Sequence, residues 1–423
     1  MSKLTYELLK DAVGGTHVGL RSRLRLAPAG GDGDKVFPPT YGVDNNAATK
    51  YAIEKRTVGE QIWDTVLLDS VASQANRMEL ALLDGLEGGE LRFPNPFVDF
   101  SDEDRLQDLG RISALQAPHR LADAIFRDSL YGGTLFRLSD LGVSITEARP
   151  GSAAALLYAC PTALLFGMWD STGPKGGLGS KFQRAIVSEV VGFGASTGVK
   201  VGSRIDPLQI EKASATLFEH VDPAQAWTLD PAEAARDKDG KNPSKFNRSG
   251  EGDAGTPSKA NHGNIAPSID TKSGGVTISY AMQTTVLSFA ALRRLRFPTD
   301  ATGQPIPADR RRQAELAART AVAALGVAAI AYQVEQDLDL RSRCLLVPSE
   351  PLKVELLTRD GSEPSVVDLD AASAAELVAD AAAALEAAGL PWANEEIRLV
   401  PSPKLAELVR RSRDHAVAVP EVS

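Results

Sequence analysis

The stretch around which the chain is organised runs from Thr162 to Gly192: T-A-L-L-F-G-M-W-D-S-T-G-P-K-G-G-L-G-S-K-F-Q-R-A-I-V-S-E-V-V-G. Its apolar opening, Ala163 to Trp169, has the length and bulk of a buried strand. Asp170-Ser171-Thr172-Gly173-Pro174 is a cluster of turn formers, and Lys175-Gly176-Gly177-Leu178-Gly179 leads to Ser180 as a helix N-cap. The helix expected next puts Phe182, Ile186, Val187 and Val190 on one face, with Lys181, Gln183, Arg184 and Ser188 on the other. Strand, glycine-rich loop and helix N-terminus present backbone N–H groups and a helix dipole to an anion. Lys175, Lys181 and Arg184 add positive charge, so the stretch reads as a phosphate-contacting surface; the plain alternative is a tight turn. Neither G-x-x-x-x-G-K-[ST] nor G-x-G-x-x-G is present. That turns the reading from a nucleotide pocket toward a polymer backbone, which scattered cations can grip.

Upstream, Ser2 to Val13 reads as an amphipathic helix ended by Gly14-Gly15. Val18 to Leu26 then alternates: Val18, Leu20, Ser22, Leu24 and Leu26 share one face, and Arg21, Arg23 and Arg25 the other. Period two predicts a half-buried strand. Three arginines about 7 Å apart repel one another unless anions lie between them, a spacing close to that of successive phosphates. A merely solvated face is the alternative. Ala27 to Tyr41 is a loop rich in Gly, Pro and Asp, with Lys35, Phe37 and Tyr41 suited to clamp or stack on bases. Trp63 to Leu86 reads as one long helix. Ser70, Ser73, Gln74 and Arg77 form a polar stripe on it that needs partners, inside the protein or on a ligand. Ala117-Pro118-His119-Arg120 opens a further helix, with Arg120 and Arg127 on one side. His119 is placed there to cap or to contact phosphate. A strand over Phe136 to Ser139 and a helix over Ser152 to Tyr158 lead into the central stretch.

Downstream, Lys200 to Pro207 reads as a strand. From Asp230 to Gly275 apolar residues nearly vanish, which predicts a mobile insertion with Asn261 to Pro267 as an ordered tip. His262, Asn264 and Lys259 sit near that tip. Val276 to Phe289 returns as a strand. Beyond residue 310, alanine-rich helices at Arg312–Ala331, Ala371–Ala388 and Pro403–Asp414 surround short strands at Cys344–Val347 and Lys353–Thr358.

The formal charge of −9 argues against indiscriminate nucleic-acid binding, but its distribution is uneven. Residues 1–298 carry 33 Lys and Arg against 35 Asp and Glu; residues 299–423 carry 13 against 20. The first part can therefore hold a local basic face. Cys160 and Cys344, the only cysteines, sit in apolar surroundings, as reduced core residues of a cytoplasmic protein would. No signal peptide and no apolar run of bilayer length is read, so no membrane association is expected. The five histidines lack zinc-ligand spacing.

L-L-D-S-V-A-S-Q-A-N-R at 67–77, A-P-H-R-L-A-D-A-I-F-R-D-S at 117–129, F-G-M-W-D-S-T-G-P-K-G-G-L-G-S-K-F at 166–182, H-G-N-I-A-P at 262–267 and P-A-G-G-D-G-D-K-V-F-P-P-T-Y at 28–41 together resemble one family. It is the backbone subunit of type I-G (formerly I-U) CRISPR Cascade effectors, in the RAMP superfamily; the resemblance covers roughly residues 15–300. It implies an α+β fold: an RRM-like, ferredoxin-type palm over 1–310 with inserted loops and hairpins. A helix-rich part over 311–423 would pack on the same core. It implies copies of the chain in a helical filament along one CRISPR RNA, beside other Cascade subunits. A thumb displaces guide bases at intervals, the guide pairs with the target DNA strand, and a separate enzyme cuts. The thumb falls at 230–275 or at 29–48. The RNA-contacting set expected is Arg21, Arg23, Arg25, Lys35, Phe37, Gln74, Asn76, Arg77, His119, Arg120, Trp169, Ser171, Thr172, Lys175, Lys181, Arg184, His262 and Asn264. No cofactor, metal or catalytic residue is expected.

Two other function classes compete with this scaffold. An RNA endonuclease would draw on Asp69, Asp170 or His119, although Asp170 is suited to cap its own turn with Ser171 and Thr172. A small-molecule enzyme would use the glycine-rich loop and need a compact pocket.

Overall fold

A computed structural model describes residues 2–44, 46–172, 180–211, 214–237, 239–247, 253–300 and 302–418. Two units divide the chain. The first comprises residues 1–45, 50–197 and 275–405; the second comprises 46–49, 198–274 and 406–423.

A ten-stranded sheet with the arginine strand near its middle dominates the first unit. Its strands are β1 (Ser2–Lys3), β2 (His17–Pro28), β3 (Ile53–Val58), β4 (Gln61–Asp69), β5 (Ile186–Phe193), β6 (Tyr280–Ser288), β7 (Leu338–Asp339), β8 (Leu345–Pro348), β9 (Lys353–Thr358) and β10 (Ser365–Asp368). They lie in the order β1-β10-β9-β2-β6-β5-β4-β3, with β8 beside the end of β2 and β7 beside β8. Only β1 with β10 is parallel. The residues from 338 to 368 thus supply four strands of this sheet. A smaller five-stranded sheet joins Phe97–Asp99 to Arg398–Pro401. The fold is mixed α+β, as expected.

Alternation along β2 produces its burial. Leu20, Ser22, Leu24 and Leu26 are buried, whereas the three arginines are half-exposed. Burying each leucine contributes about 1.5–3 kcal/mol. Val18 leaves the buried row because the register with β9 shifts between His17 and Gly19. Two helices, α1 (Val71–Glu87) and α2 (Ala308–Glu335), cover the buried face. Gly326 lets α2 lie close to the sheet: a Cβ there would stand 3.0 Å from the Leu287 methyls and 3.1 Å from one of Leu165. At 28 residues, α2 is long and apolar enough to cross a membrane, contrary to the expectation that no such run exists. Most of it is buried as the central helix of the core.

The central stretch reverses the expected order. Where a strand was expected over Ala163 to Trp169, Thr162–Phe166 is a helix and only Met168–Trp169 is a strand, and Lys181–Phe182 and Ile186–Phe193 are strands, not a helix. Short, wholly buried apolar runs carry no period, so the first error is one of ambiguity. In the second, alternation of the buried Ile186, Ser188 and Val190 with the more exposed Val187 and Glu189 was the signal. Residues 173–179, with Lys175, lie outside the described residues. Likewise 63–86 is not one helix: β4 ends at Asp69, and Ser70 caps α1 by accepting from Ser73 N. The helix at 117–127 is broken into a 3₁₀ turn, Arg120–Ala122, and a short helix, Ala124–Arg127. Asp123 caps the latter through Ile125 N. Phe136–Leu138 is 3₁₀ rather than strand.

In the second unit, Lys200–Arg204 pairs antiparallel with Ile265–Asp270. Short strands Phe218–Glu219 and Trp227–Thr228 form another ribbon. The unit takes in residues 230–274 of the expected insertion, within a segment that runs from Gly198 to Gly274.

Candidate nucleic-acid interface

On the face of the sheet opposite the helices, charged and aromatic side chains lie in two rows that cross the strands. In the first, β9 and β2 place Glu355 opposite Arg21 and Lys353 opposite Arg23. Arg21 Nε donates to Glu355 Oε2 at 2.8 Å and Arg23 Nη2 to Oε1 at 3.3 Å, while Lys353 Nζ lies 2.9 Å from Oε1. Three cations share one carboxylate and leave two positive charges uncompensated. Glu355 is buried, which pushes its carboxyl up, but hydrogen bonds from Arg21 and Lys353 outweigh that and hold it at about 2. Farther across the sheet, Arg56 Nη1 donates to Glu189 Oε1 at 2.5 Å.

The second row is formed by Arg25, Tyr280, Phe193 and Trp63, from β2, β6, β5 and β4. The Arg25 guanidinium lies 4.0 Å from the Tyr280 ring centre. Tyr280 and Phe193, directly opposite in register, stack with centroids 4.9 Å apart and planes 7° from parallel. Trp63 meets both edge-on, at 6.0 and 6.3 Å. Phe193 is buried among its neighbours; Tyr280, Trp63 and Arg25 keep partial exposure. Arg25 also lies 3.5 Å from Glu350. A guanidinium and aromatic rings beside excess positive charge can stack bases and grip phosphates.

Several expected contacts are instead committed inside the protein. Gln74 is fully buried: its Nε2 donates to Asp69 at 2.7 Å, and its Oε1 accepts from Ser188, Gln283 and Gln333. Arg77 donates to Asp69 and to the Leu340 carbonyl, and Arg341 completes the set around Asp69. The polar stripe thus finds its partners internally, and Asp69 is a buried anchor for two guanidinium groups. Arg120 forms a two-pronged pair with Glu79, at 2.5 and 3.0 Å, and also donates to the Gly167 carbonyl. Burial pushes the Glu79 carboxyl up, and the bonds from Arg120 only partly offset this. Asp170 accepts from Arg137 and from Thr172 N, so it caps its own turn as its sequence suggested. His262 sits edge-on to Trp227, and Asn264 Oδ1 accepts from Asp206 N at 2.7 Å; both shape the second unit. Phe37 lies beneath the Arg343 guanidinium at 4.1 Å, and Lys35 is half-buried.

Asn76, His119, Ser171, Thr172, Lys181 and Arg184 are exposed, as is Trp169, with Lys181 Nζ 5.0 Å over its ring. Trp169, Ser171, Thr172, Lys181 and Arg184 lie in sequence on either side of residues 173–179, Asn76 is in α1, and His119 directly precedes the 3₁₀ turn Arg120–Ala122. Sequence reasoning missed Tyr280, Phe193 and Trp63. Tyr280 had a signal, as the first residue of an alternating strand, but Trp63 was hidden by the helix expected across it.

Residues 20–197 match the family model described as CRISPR-associated protein GSU0053. The matched span starts in β2 and ends just past β5, so it carries Arg21, Arg23, Arg25, Trp63 and Phe193. This similarity supports a CRISPR-associated function. No curated protein matches the chain.

Proposed function

We propose that the chain is a non-enzymatic CRISPR-RNA-binding scaffold, the backbone subunit of a type I-G Cascade effector built on a RAMP palm. The observation that carries this reading is the row Arg25–Tyr280–Phe193–Trp63 beside the cation-rich Arg21–Glu355–Arg23 cluster, on the uncovered face of an antiparallel sheet. Stacking tolerates any base and phosphate contacts carry no sequence, as a scaffold for variable guides requires. Copies would line one guide RNA as a filament in the cytoplasm, with other Cascade subunits and the target DNA strand engaged through the guide. The ribbon of Lys200–Arg204 and Ile265–Asp270 is the element we assign as thumb. Val201 and Ile269 face each other across it, both mostly exposed, and can wedge against bases.

Purification from cells expressing a CRISPR array tests the reading. Ultraviolet absorbance typical of nucleoprotein, with guide-length RNA recovered from the particle, is expected. A clean protein spectrum and no binding of added guide RNA in fluorescence anisotropy would contradict it.

A further inference from the structure

At the end of the first unit where β2 begins and β6 finishes, residues 293–319 carry seven arginines and no lysine against three carboxylates, in a chain whose formal charge is −9. Arg293 donates to the carbonyls of Val13 and His17, both at 2.9 Å. Arg294 donates to Gln183 Oε1 at 2.9 Å, and Arg311 to the Ile306 carbonyl at 3.1 Å. These acceptors are neutral, so the three charges stand uncancelled. Arg296 and Arg319 share one carboxylate, Glu315, at 3.1 and 2.7 Å. Arg310 and Arg312, in the first turn of α2, and Arg359, directly after β9, are exposed and, among the described residues, pair with no carboxylate. Asp300 and Asp360 are engaged in their own turns, accepting from Thr302 N and Ser362 N.

The arrangement opposes local preference. Cations in the first turn of a helix meet the positive end of its dipole. Burial, and then repulsion from Arg359 and Arg319, lowers the Arg293 guanidinium from its ordinary value. Cations held together against both effects are compensated by an anion that arrives from outside. Arginine without lysine suits phosphate, which a planar guanidinium grips with two prongs.

Continuity selects the molecule that bears the phosphate. Thr358 pairs with His17, so Arg359 and Arg293 flank the start of β2, about 13 Å along that strand from Arg21. Arg293 feels the charge of Arg319, and Arg312 stands two turns before Arg319 on α2. The cations of the uncovered sheet face thus run on past the end of β2 to the first turn of α2. An acidic protein would have no reason to share a track with the stacking row.

We infer that this arginine-rich end is a second contact for the same single-stranded nucleic acid: the strand held on the sheet leaves over Arg359 and Arg293 and continues to Arg312. The inference rests on the RNA-binding reading proposed above.

Fluorescence anisotropy of the full-length protein with RNA strands of about 4 and about 15 nucleotides, across a salt series, tests it. The variant carries Arg310→Gln, Arg312→Gln and Arg359→Gln, all at exposed positions, and should keep the parent's melting temperature. For the longer strand the log–log slope should fall by roughly 2, about 0.7 for each lost phosphate contact, whereas affinity for the shorter one, which fits the sheet rows alone, should not change. Lysine at the three positions should restore most of the slope. An unchanged slope in the variant, with both strands still bound by the parent, would overturn the inference and leave the scaffold reading standing. Failure of the parent to bind either strand would overturn both. Tighter binding of a polyglutamate peptide than of RNA, lost in the variant, would assign this end to an acidic protein instead.

Discussion

Glu355 Oε2 accepts a hydrogen bond from Arg21 Nε at 2.8 Å although 334 residues separate the two in the chain. The anion needed between neighbouring arginines is thus supplied in part by the protein itself, and β9 brings it into register. Replacing it frees cations for phosphate. Glu355→Gln should therefore tighten binding of single-stranded RNA at low salt and steepen the salt dependence by roughly 0.7, the increment for one further phosphate contact. Unchanged affinity and slope would show that the freed arginines meet no phosphate.

The same carboxylate gives a pH signature. Its folded value, about 2, lies below its ordinary value of 4.5, so its stabilisation is complete above 4.5 and is lost as the pH falls toward 2. The magnitude is on the order of 3 kcal/mol. Urea midpoints measured from pH 5 to 2 should fall less steeply in Glu355→Gln than in the parent; parallel curves would refute the assignment.

Stacking and charge are separable at Tyr280. Tyr280→Ala should lower single-strand affinity by about 1–3 kcal/mol while leaving the salt slope unchanged, and Tyr280→Phe should retain most of it. Equal binding by the alanine variant, measured by anisotropy, would remove the aromatic row from the interface.

Gln74 should behave as a core residue. Gln74→Leu removes the acceptor of Ser188, Gln283 and Gln333, of which only Gln283 keeps a second acceptor, Gln333 Oε1, and should lower stability by about 3 kcal/mol. RNA affinity per folded molecule should stay the same. A selective loss of affinity without loss of stability would return Gln74 to the RNA-contacting set.

No step of the proposed role breaks a bond. Purified protein incubated with divalent metal and guide precursor, target RNA or target DNA should leave all three intact. Cleavage abolished by Asp170→Ala or His119→Ala would instead establish a nuclease.

Where local pattern alone decides structure, the chain was legible. The alternation at 18–26 became β2, Lys353–Thr358 became β9, and the alanine-rich helix at 371–388 was placed to within one residue. Where two elements abut without a strong break, it was not. Asp69 and Ser70 divide a strand from a helix, but the apolar run on both sides concealed the junction until the Ser70 cap was visible. The site was less legible than the fold because its partners are remote. Arg21, Arg23 and Arg25 were visible as a row, but Glu355 and Tyr280 join them only through sheet order. Gln74 and Arg77 looked available because, beyond nearby Asp69, they are held by remote partners: Gln333 and the Leu340 carbonyl each lie more than 250 residues away.

The salt dependence of guide-RNA affinity tests the central claim most directly. It should be measured in the parent and in a variant carrying Arg21→Ala, Arg23→Ala, Arg25→Ala and, to avoid stranding a buried carboxylate, Glu355→Gln. If these arginines grip the RNA backbone, the log–log slope should fall by roughly 1.4, about 0.7 for each of three lost phosphate contacts less the one that Glu355→Gln frees at Lys353, whatever the guide sequence. An unchanged slope in a variant that remains folded would contradict the account.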